Sequence, residues 1–271
     1  MIRFCPTVIY FLLPAYNEKT GLPPVLESIS RLNFPGENWH VVVVDDGSSD
    51  GTAEMLAEWS NRIPMTVLTH ELNRGLGRAM RTGLKYLSGI ITDSDAVVAL
   101  DSDNTHDPSV ALAMREKQLK ENLDIVIASR YCESENSRGE EIGLALHRKI
   151  LSRGASWLLD FFFRVKGARD YTCGFRLYSG SILRRAVNAF GDRLVEEKNF
   201  VCMAEILVKL AHIGAEVDEV PLTLRYDLKG TASKLRIFRT IMRYFHLIWR
   251  YKLAGSIRII DESAENPNPM A

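Results

Sequence analysis

A chain of 271 residues, 46% hydrophobic and 25% charged, is long enough for one large α/β domain or a domain with an appendage, and it has an ordinary soluble globular composition. Its 34 basic and 34 acidic side chains cancel, so no overall field draws it to nucleic acid. Cys5, Cys132, Cys173 and Cys202 lie too far apart for a metal-type spacing and read as reduced cytosolic thiols, and no run of about 18 apolar residues marks a membrane span.

The apolar run 7–13 is halted by Pro14 and predicts a strand over 8–13. A helix is predicted over 22–32, with Pro23 and Pro24 tolerated in its first turn. The β-branched run 40–44 reads as a second strand. Then follow a helix over 52–61, a strand over 65–69, a helix over 77–87, a strand over 97–100, a helix over 108–120 and a strand over 124–128. This rhythm predicts an α/β fold, a mostly parallel sheet flanked by helices on both faces. Past Tyr131 the pattern changes. A helix over 142–163 ends in aromatic residues, 170–178 reads as a loop and short strand, and a helix over 200–213 is closed by Gly214. Residues 216–224 alternate as a strand, and 235–253 form one long basic, aromatic helix. The acidic, Pro-containing segment 261–271 reads as a disordered tail. The expected organisation is a catalytic domain over 1–235, a basic amphipathic helix over 236–260 and the tail.

Parallel sheets bind ligands beyond the carboxyl ends of their strands, and three acidic loops sit at such ends. Pro14-Ala15-Tyr16-Asn17-Glu18 follows the first strand, Asp45-Asp46-Gly47-Ser48-Ser49-Asp50-Gly51-Thr52 the second, and Asp101-Ser102-Asp103 a later one. Carboxylates gathered at one edge repel unless they hold a cation or order a sugar or base. Hard oxygen donors suit Mg²⁺ or Mn²⁺, which bind through one or two carboxylates plus substrate phosphates. The plainer reading makes each loop a helix cap, Asn17 and Ser49 or Asp50 being good cap residues. The turn at 73–80, with Gly75, Gly77, Arg74 and Arg78, reads as a helix entry or a diphosphate cradle.

These motifs, with Ala128-Ser129-Arg130-Tyr131, Ser152-Arg153-Gly154-Ala155, Thr172-Cys173-Gly174-Phe175-Arg176 and residues 230–235, resemble the inverting family 2 glycosyltransferases of the Rossmann-like GT-A fold. Within that family they look like the branch acting on dolichyl and bacterial polyprenyl phosphates. The resemblance implies that Pro14, Tyr16, Glu18, Val44, Asp46, Asp101 and Ser102 bind the nucleotide, with Asp46 on the base. It implies that Asp101 and Asp103 hold the metal. Thr105 stands where the branch often has Gln, which leaves the third protein ligand open, and His106 reads as structural. Asp103 and Arg130 are expected to be catalytic. Arg130, Arg148, Ser152 and Arg225 are expected to hold the acceptor phosphate, with Lys229 competing for the role of Arg225.

The implied partners are a nucleotide-diphosphate sugar (GDP-mannose or UDP-glucose), a polyprenyl phosphate and a membrane surface reached from the cytoplasm. A separate membrane anchor protein is a further implied partner. A phosphate monoester, with its second pKa of about 6, is already nucleophilic at neutral pH, whereas a hydroxyl acceptor would need a base, for which Glu205 is available. The remaining alternatives are a nucleotidyltransferase and a non-catalytic nucleotide binder.

Overall fold

A computed structural model of the chain describes residues 7–133, 137–228, 237–255, 257 and 259, with 237 and 238 described by their backbone alone. Seven strands form one sheet: β1 (Val8–Ala15), β2 (Asn38–Asp45), β3 (Met65–Thr69), β4 (Ala96–Ala99), β5 (Ile125–Ser129), β7 (Arg176–Ser179) and β8 (Val217–Pro221). Their spatial order is β3-β2-β1-β4-β7-β5-β8. Two short strands, β6 (Glu140–Ile142) and β9 (Thr223–Arg225), pair separately.

The central strands form where apolar runs can be buried on both faces, as parallel sheets require. Val41 to Val44 of β2 are fully buried, as are Phe11 to Leu13 of β1. Helix α1 (Leu22–Ser30) shows the complementary periodicity, burying Leu22, Val25, Leu26 and Ile29, with prolines in its first turn where no intrahelical donor is lost. Helices α2 (Thr52–Ser60), α3 (Leu76–Ser88) and α4 (Val110–Glu121) complete the βαβα half, each within two residues of its predicted bounds.

Register brings the acidic loops together. Ala15 ends β1 opposite Asp45 at the end of β2, and Leu12 of β1 faces Ala99 at the end of β4. The three loops therefore leave adjacent strands at one edge.

In the second half the chain departs from the simple rhythm. After β5 it passes through β6 and α5 (Leu146–Phe163), then re-enters the sheet from the carboxyl edge. Arg176 pairs with Ala99 and Ile127, so β7 is antiparallel to both β4 and β5. Residues 170–175 consequently lie at the same edge as the acidic loops. The alternating segment 216–224 divides at Leu222. β8 stays in the sheet, and β9 turns away to pair with β6. Pro221, which lacks a ladder donor, ends β8. Helix α6 (Gly180–Phe190) follows β7, and α7 (Val201–His212) is buried from Val201 through Leu210.

The predicted C-terminal helix is α8 (Ile237–Ile248), which widens into a π-helical turn at Trp249–Leu253. Tyr244, Leu247, Ile248 and Tyr251 are buried in the same core as the sheet. The tail at 261–271 lies outside the described residues. Truncating a buried Leu costs about 2–5 kcal/mol, so Leu247→Ala is expected to destabilise the whole chain by that amount in chemical denaturation. A loss under about 1 kcal/mol would fit a merely surface-laid helix.

Candidate active site

The loops at the carboxyl ends of β1 and β2 are stitched to each other. Asn17 takes a left-handed conformation (φ 54°), which Asn tolerates better than most residues. Its N–H donates to Ser48 Oγ at 2.9 Å, and its Oδ1 accepts from Ser49 N–H at 2.8 Å. Glu18 N–H donates to Thr52 Oγ1 at 3.0 Å. Ser102 Oγ donates to the Pro14 carbonyl at 2.8 Å, tying the third loop to the first. Gly21 marks where they meet: a Cβ there would lie 2.6 Å from Glu18 Oε2, 3.2 Å from Ser102 O and 3.3 Å from Asp103 Cα. Tyr16 is half-exposed beside them, and Val44 is fully buried in β2 opposite Pro14.

Asp46 is buried and serves the protein itself. Its Oδ1 accepts from His70 Nδ1 at 2.6 Å and Arg74 N–H at 2.9 Å, and its Oδ2 from Gly75 N–H at 2.8 Å. A carboxylate offers about four acceptor positions, so roughly one remains for a base. The glycines of this turn allow close packing. Gly75 adopts φ 90° at the start of α3, and a Cβ on Gly77 would fall 1.7 Å from the Glu197 carbonyl. The segment is thus a helix entry roofed by residues 197–198.

At the Asp-x-Asp loop, Asp103 Oδ1 accepts from Thr105 Oγ1 at 2.6 Å and from Thr105 N–H at 3.2 Å. Thr105 therefore orients this carboxylate. His106 Nδ1 accepts from Asp101 N–H at 3.3 Å and its ring lies 5.3 Å from that of Phe175. Asp101 Oδ1 sits beside Gly174, where a Cβ would be 3.4 Å away.

The cationic residues sit across the cleft. Arg130 is gripped bidentately by Asp170, with both contacts at 2.7 Å, and donates to Thr172 Oγ1 at 2.6 Å. Asp170 is fully buried. Burial alone would raise its pKa, but the Arg130 charge and backbone N–H donors outweigh that and hold it below the usual carboxylate range. Glu219 Oε1 in turn accepts from the N–H groups of Arg169 and Asp170 at 2.6 and 2.7 Å.

Asp170 is the residue sequence reading missed. Its role depends on the reversed β7, which brings loop 170–175 against the end of β5. The available signal was Arg130 itself, a guanidinium leaving a buried strand that needs a counter-charge.

Helix α5 carries Arg148 and Ser152 one turn apart. Arg148 donates to Tyr226 Oη at 2.5 Å. Ser152 Oγ accepts from Tyr131 Oη at 3.2 Å and lies 3.2 Å from Thr172 Oγ1. Burial pushes the Tyr131 phenol up to about 12, so it stays a donor. Arg225 behaves differently. Its guanidinium pairs with Asp227 at 2.8 Å on the surface, and its N–H donates to the Thr105 carbonyl at 2.9 Å. Tyr226, the next residue, reaches the cleft wall in its place. Lys229 and residues 230–235 lie outside the described residues.

One cleft unites these groups. Asp101 and Asp103 line one side, and Arg130, Arg148 and Ser152 the other. Leu144, Leu151, Ala155, Phe200 and Ile241 give it an apolar wall. Among the described residues its only carboxylates are those two aspartates. Glu205, the conceivable base, is fully buried elsewhere, accepting from Glu196 N–H, Glu197 N–H, Lys209 Nζ and Tyr251 Oη.

Comparison with known proteins agrees with this architecture. The dolichol-phosphate mannosyltransferase of Pyrococcus furiosus is 30% identical over 241 residues, covering 88% of this chain, which spans only 62% of that protein. The dolichyl-phosphate beta-glucosyltransferase ALG5A of Trichomonas vaginalis is 29% identical, with 86% and 70% covered. The polyprenol monophosphomannose synthase of Mycolicibacterium smegmatis is 28% identical, with 78% and 75% covered. Among solved structures, glucosyl-3-phosphoglycerate synthase of Mycobacterium tuberculosis, crystallised with Mn²⁺, UDP and phosphoglyceric acid, shares the fold. Its TM-score is 0.62 at 21% identity, covering 95% of this chain and 80% of that one. The sheet and its flanking helices are therefore of the GT-A type. Residues 10–190 match the glycosyl transferase family 2 profile, and the chain belongs to that family.

Proposed function

We propose that this chain is an inverting glycosyltransferase that moves a hexose, mannose or glucose, from a nucleotide-diphosphate sugar to a polyprenyl phosphate. The observation that carries the reading is the single cleft with a carboxylate pair on one side, an Arg and hydroxyl set on the other and apolar side chains between. The relatives' names add support: two act on dolichyl phosphates and one makes a polyprenol monophosphomannose.

The donor's diphosphate belongs at the acidic rim. Asp101 and Asp103 are hard donors that fit Mg²⁺ or Mn²⁺, whose remaining positions substrate phosphates commonly fill. Among the described residues no group of three or more His, Cys, Asp or Glu is placed to hold a metal ion, and on this reading the pair is the protein's contribution. Bound there, a divalent ion would offset charge on the departing nucleoside diphosphate. Pro14, Tyr16, Glu18, Val44, Asp46 and Ser102 belong to the nucleotide side.

The acceptor phosphate belongs between Arg148 and Ser152, with Tyr131 and Thr172 orienting the serine hydroxyl. Arg130, already neutralised by Asp170, supplies directed N–H groups rather than a bare charge. A phosphate monoester needs no base; His106, which also lines the cleft, accepts from Asp101 N–H through Nδ1. The required contribution is in-line positioning and charge balance. Attack on the anomeric carbon from the face opposite the diphosphate inverts its configuration.

The cleft's outer walls suit a lipid surface. On α8 and its π-helical turn, Met242, Phe245, Trp249 and Leu253 form one exposed apolar face, and on α5 so do Leu146, Ile150, Trp157 and Phe161. The helices pack on each other beside the cleft mouth. Among the described residues no helix is long and apolar enough to cross a membrane. On this reading the two apolar faces rest on the cytoplasmic side of a membrane, alone or beside an anchor protein.

Incubation with Mn²⁺, a short polyprenyl phosphate and a panel of GDP- and UDP-sugars should yield a glycosylated lipid detectable by mass. Release of pyrophosphate, or transfer only to hydroxyl acceptors, would overturn the assignment. Asp103→Ala should lower turnover by at least about 100-fold, as expected when a principal electrostatic contact is lost. Arg148→Ala should raise the lipid-phosphate KM about 10- to 100-fold, the worth of a charge-assisted hydrogen bond, with donor affinity unchanged. Replacing Phe245 and Trp249 together by Ser should reduce co-flotation with anionic liposomes while leaving nucleotide binding intact.

A further inference from the structure

Residues 196–198 run between two elements that the reaction does not obviously connect. Beneath them lies the turn at the start of α3. Gly77 N–H donates to the Lys198 carbonyl at 3.0 Å, and a Cβ on Gly75 would stand 2.7 Å from that same oxygen. A Cβ on Gly77 would stand 1.7 Å from the Glu197 carbonyl, so the turn and the strap are in direct backbone contact. The turn's own N–H groups, from Arg74 and Gly75, hold the Asp46 carboxylate.

Above the strap lies the C-terminal helix. Arg243 of α8 donates to Glu197 Oε2 at 2.8 Å, and Arg250 of the π-helical turn donates to Glu196 Oε1 at 2.6 Å. Tyr251 Oη reaches Glu205 Oε1 at 2.6 Å. Glu205 closes the assembly from within α7, accepting from the N–H groups of Glu196 and Glu197 at 2.9 and 2.8 Å through its other oxygen. Lys209 Nζ, itself buried, donates to Glu205 Oε1 at 2.8 Å and to Glu196 Oε2 at 3.0 Å. A buried charge cluster of this kind survives only where every member is partnered.

We propose that this cluster is a positioning device for the donor site: Glu205 and the strap it clamps transmit the seat of the C-terminal helix to the turn that holds Asp46. Glu205, Glu197 and Arg243 are positioning residues and touch no reacting atom. The same α8 lines the acceptor end of the cleft through Thr240, Ile241 and Tyr244. Arg243 and Tyr251, which hold the strap, are not among those lining residues, so the loss of their contacts is felt as weaker nucleotide binding. This rests on the reading of Asp46 and its neighbours as the nucleotide side.

The test measures UDP and GDP affinity by calorimetry in Mn²⁺, at a temperature where circular dichroism shows every variant folded. Arg243→Ala and Tyr251→Phe should weaken the preferred nucleotide about 3- to 30-fold, the range for residues acting through neighbours. Arg243→Lys, which keeps the charge, should recover most of the loss. In turnover assays the donor KM should rise while the polyprenyl-phosphate KM stays within about twofold. Gly77→Ala, which pushes the strap from below, should show the same split. Arg184→Ala, which removes an exposed pair with Asp93, should change nothing. Wild-type binding with unchanged affinity in Arg243→Ala and Tyr251→Phe would overturn the strap alone. A wild-type chain that binds neither nucleotide would overturn the donor-site reading and the strap with it.

Discussion

A strand that runs against its neighbours decides where everything else can go. Had β7 entered the sheet from the far edge, loop 170–175 would lie at the opposite end, and Arg130 would leave β5 with no counter-charge. Because it enters from the carboxyl edge, Asp170 arrives fully buried beside that guanidinium and meets it with two contacts at 2.7 Å. Isolated, either ion would be costly at this depth. Together, with Thr172 and the backbone N–H groups, they form a rigid floor between the acidic loops and α5. Thr172 then reaches Ser152, so the hydrogen bonds that stabilise the loop also orient the opposite wall.

The cleft is polarised along its length. Its two carboxylates sit on the loop after β4, which Ser102 ties to the loop after β1, itself locked by Ser48 and Thr52 of the loop after β2. Its cations sit on a helix and a strand end, Arg148 held by the Tyr226 hydroxyl and Arg130 by Asp170. Loops carry the groups suited to a nucleotide and a hydrated ion, and secondary structure carries those suited to a phosphate on a bulky apolar chain. The division matches where water must enter and where it must be kept out.

The first half of the molecule was legible from its residues because its determinants are local. Val41 to Val44 can only be a buried strand, and the prolines of α1 fit only its first turn. Acidic loops after such strands must share an edge once the sheet is parallel. The second half was less legible because its determinants are pairings between distant residues. Nothing near Asp170 shows that it faces Arg130, and nothing near Glu205 shows that it is buried. That helix looked able to present an acid to the cleft, yet α7 is enclosed and its carboxylate is consumed by the strap. Arg225 was misleading for the opposite reason. A carboxylate two residues on, Asp227, takes its guanidinium at the surface, and Tyr226 projects inward. Asp46, singled out for a base, spends most of its capacity on the chain, a role set by the return of residues 74–75 that no spacing rule encodes.

The compensation of Arg130 by Asp170 bears on how the cycle ends. On the proposed reaction a doubly charged phosphate monoester enters and a singly charged diester departs. A site armed with two bare guanidinium groups would still hold the diester firmly. Here Arg130 is already matched by Asp170, and the pull of the site weakens as the new ester bond removes a negative charge. On that reading the electrostatics of the resting protein favours escape of the finished glycolipid.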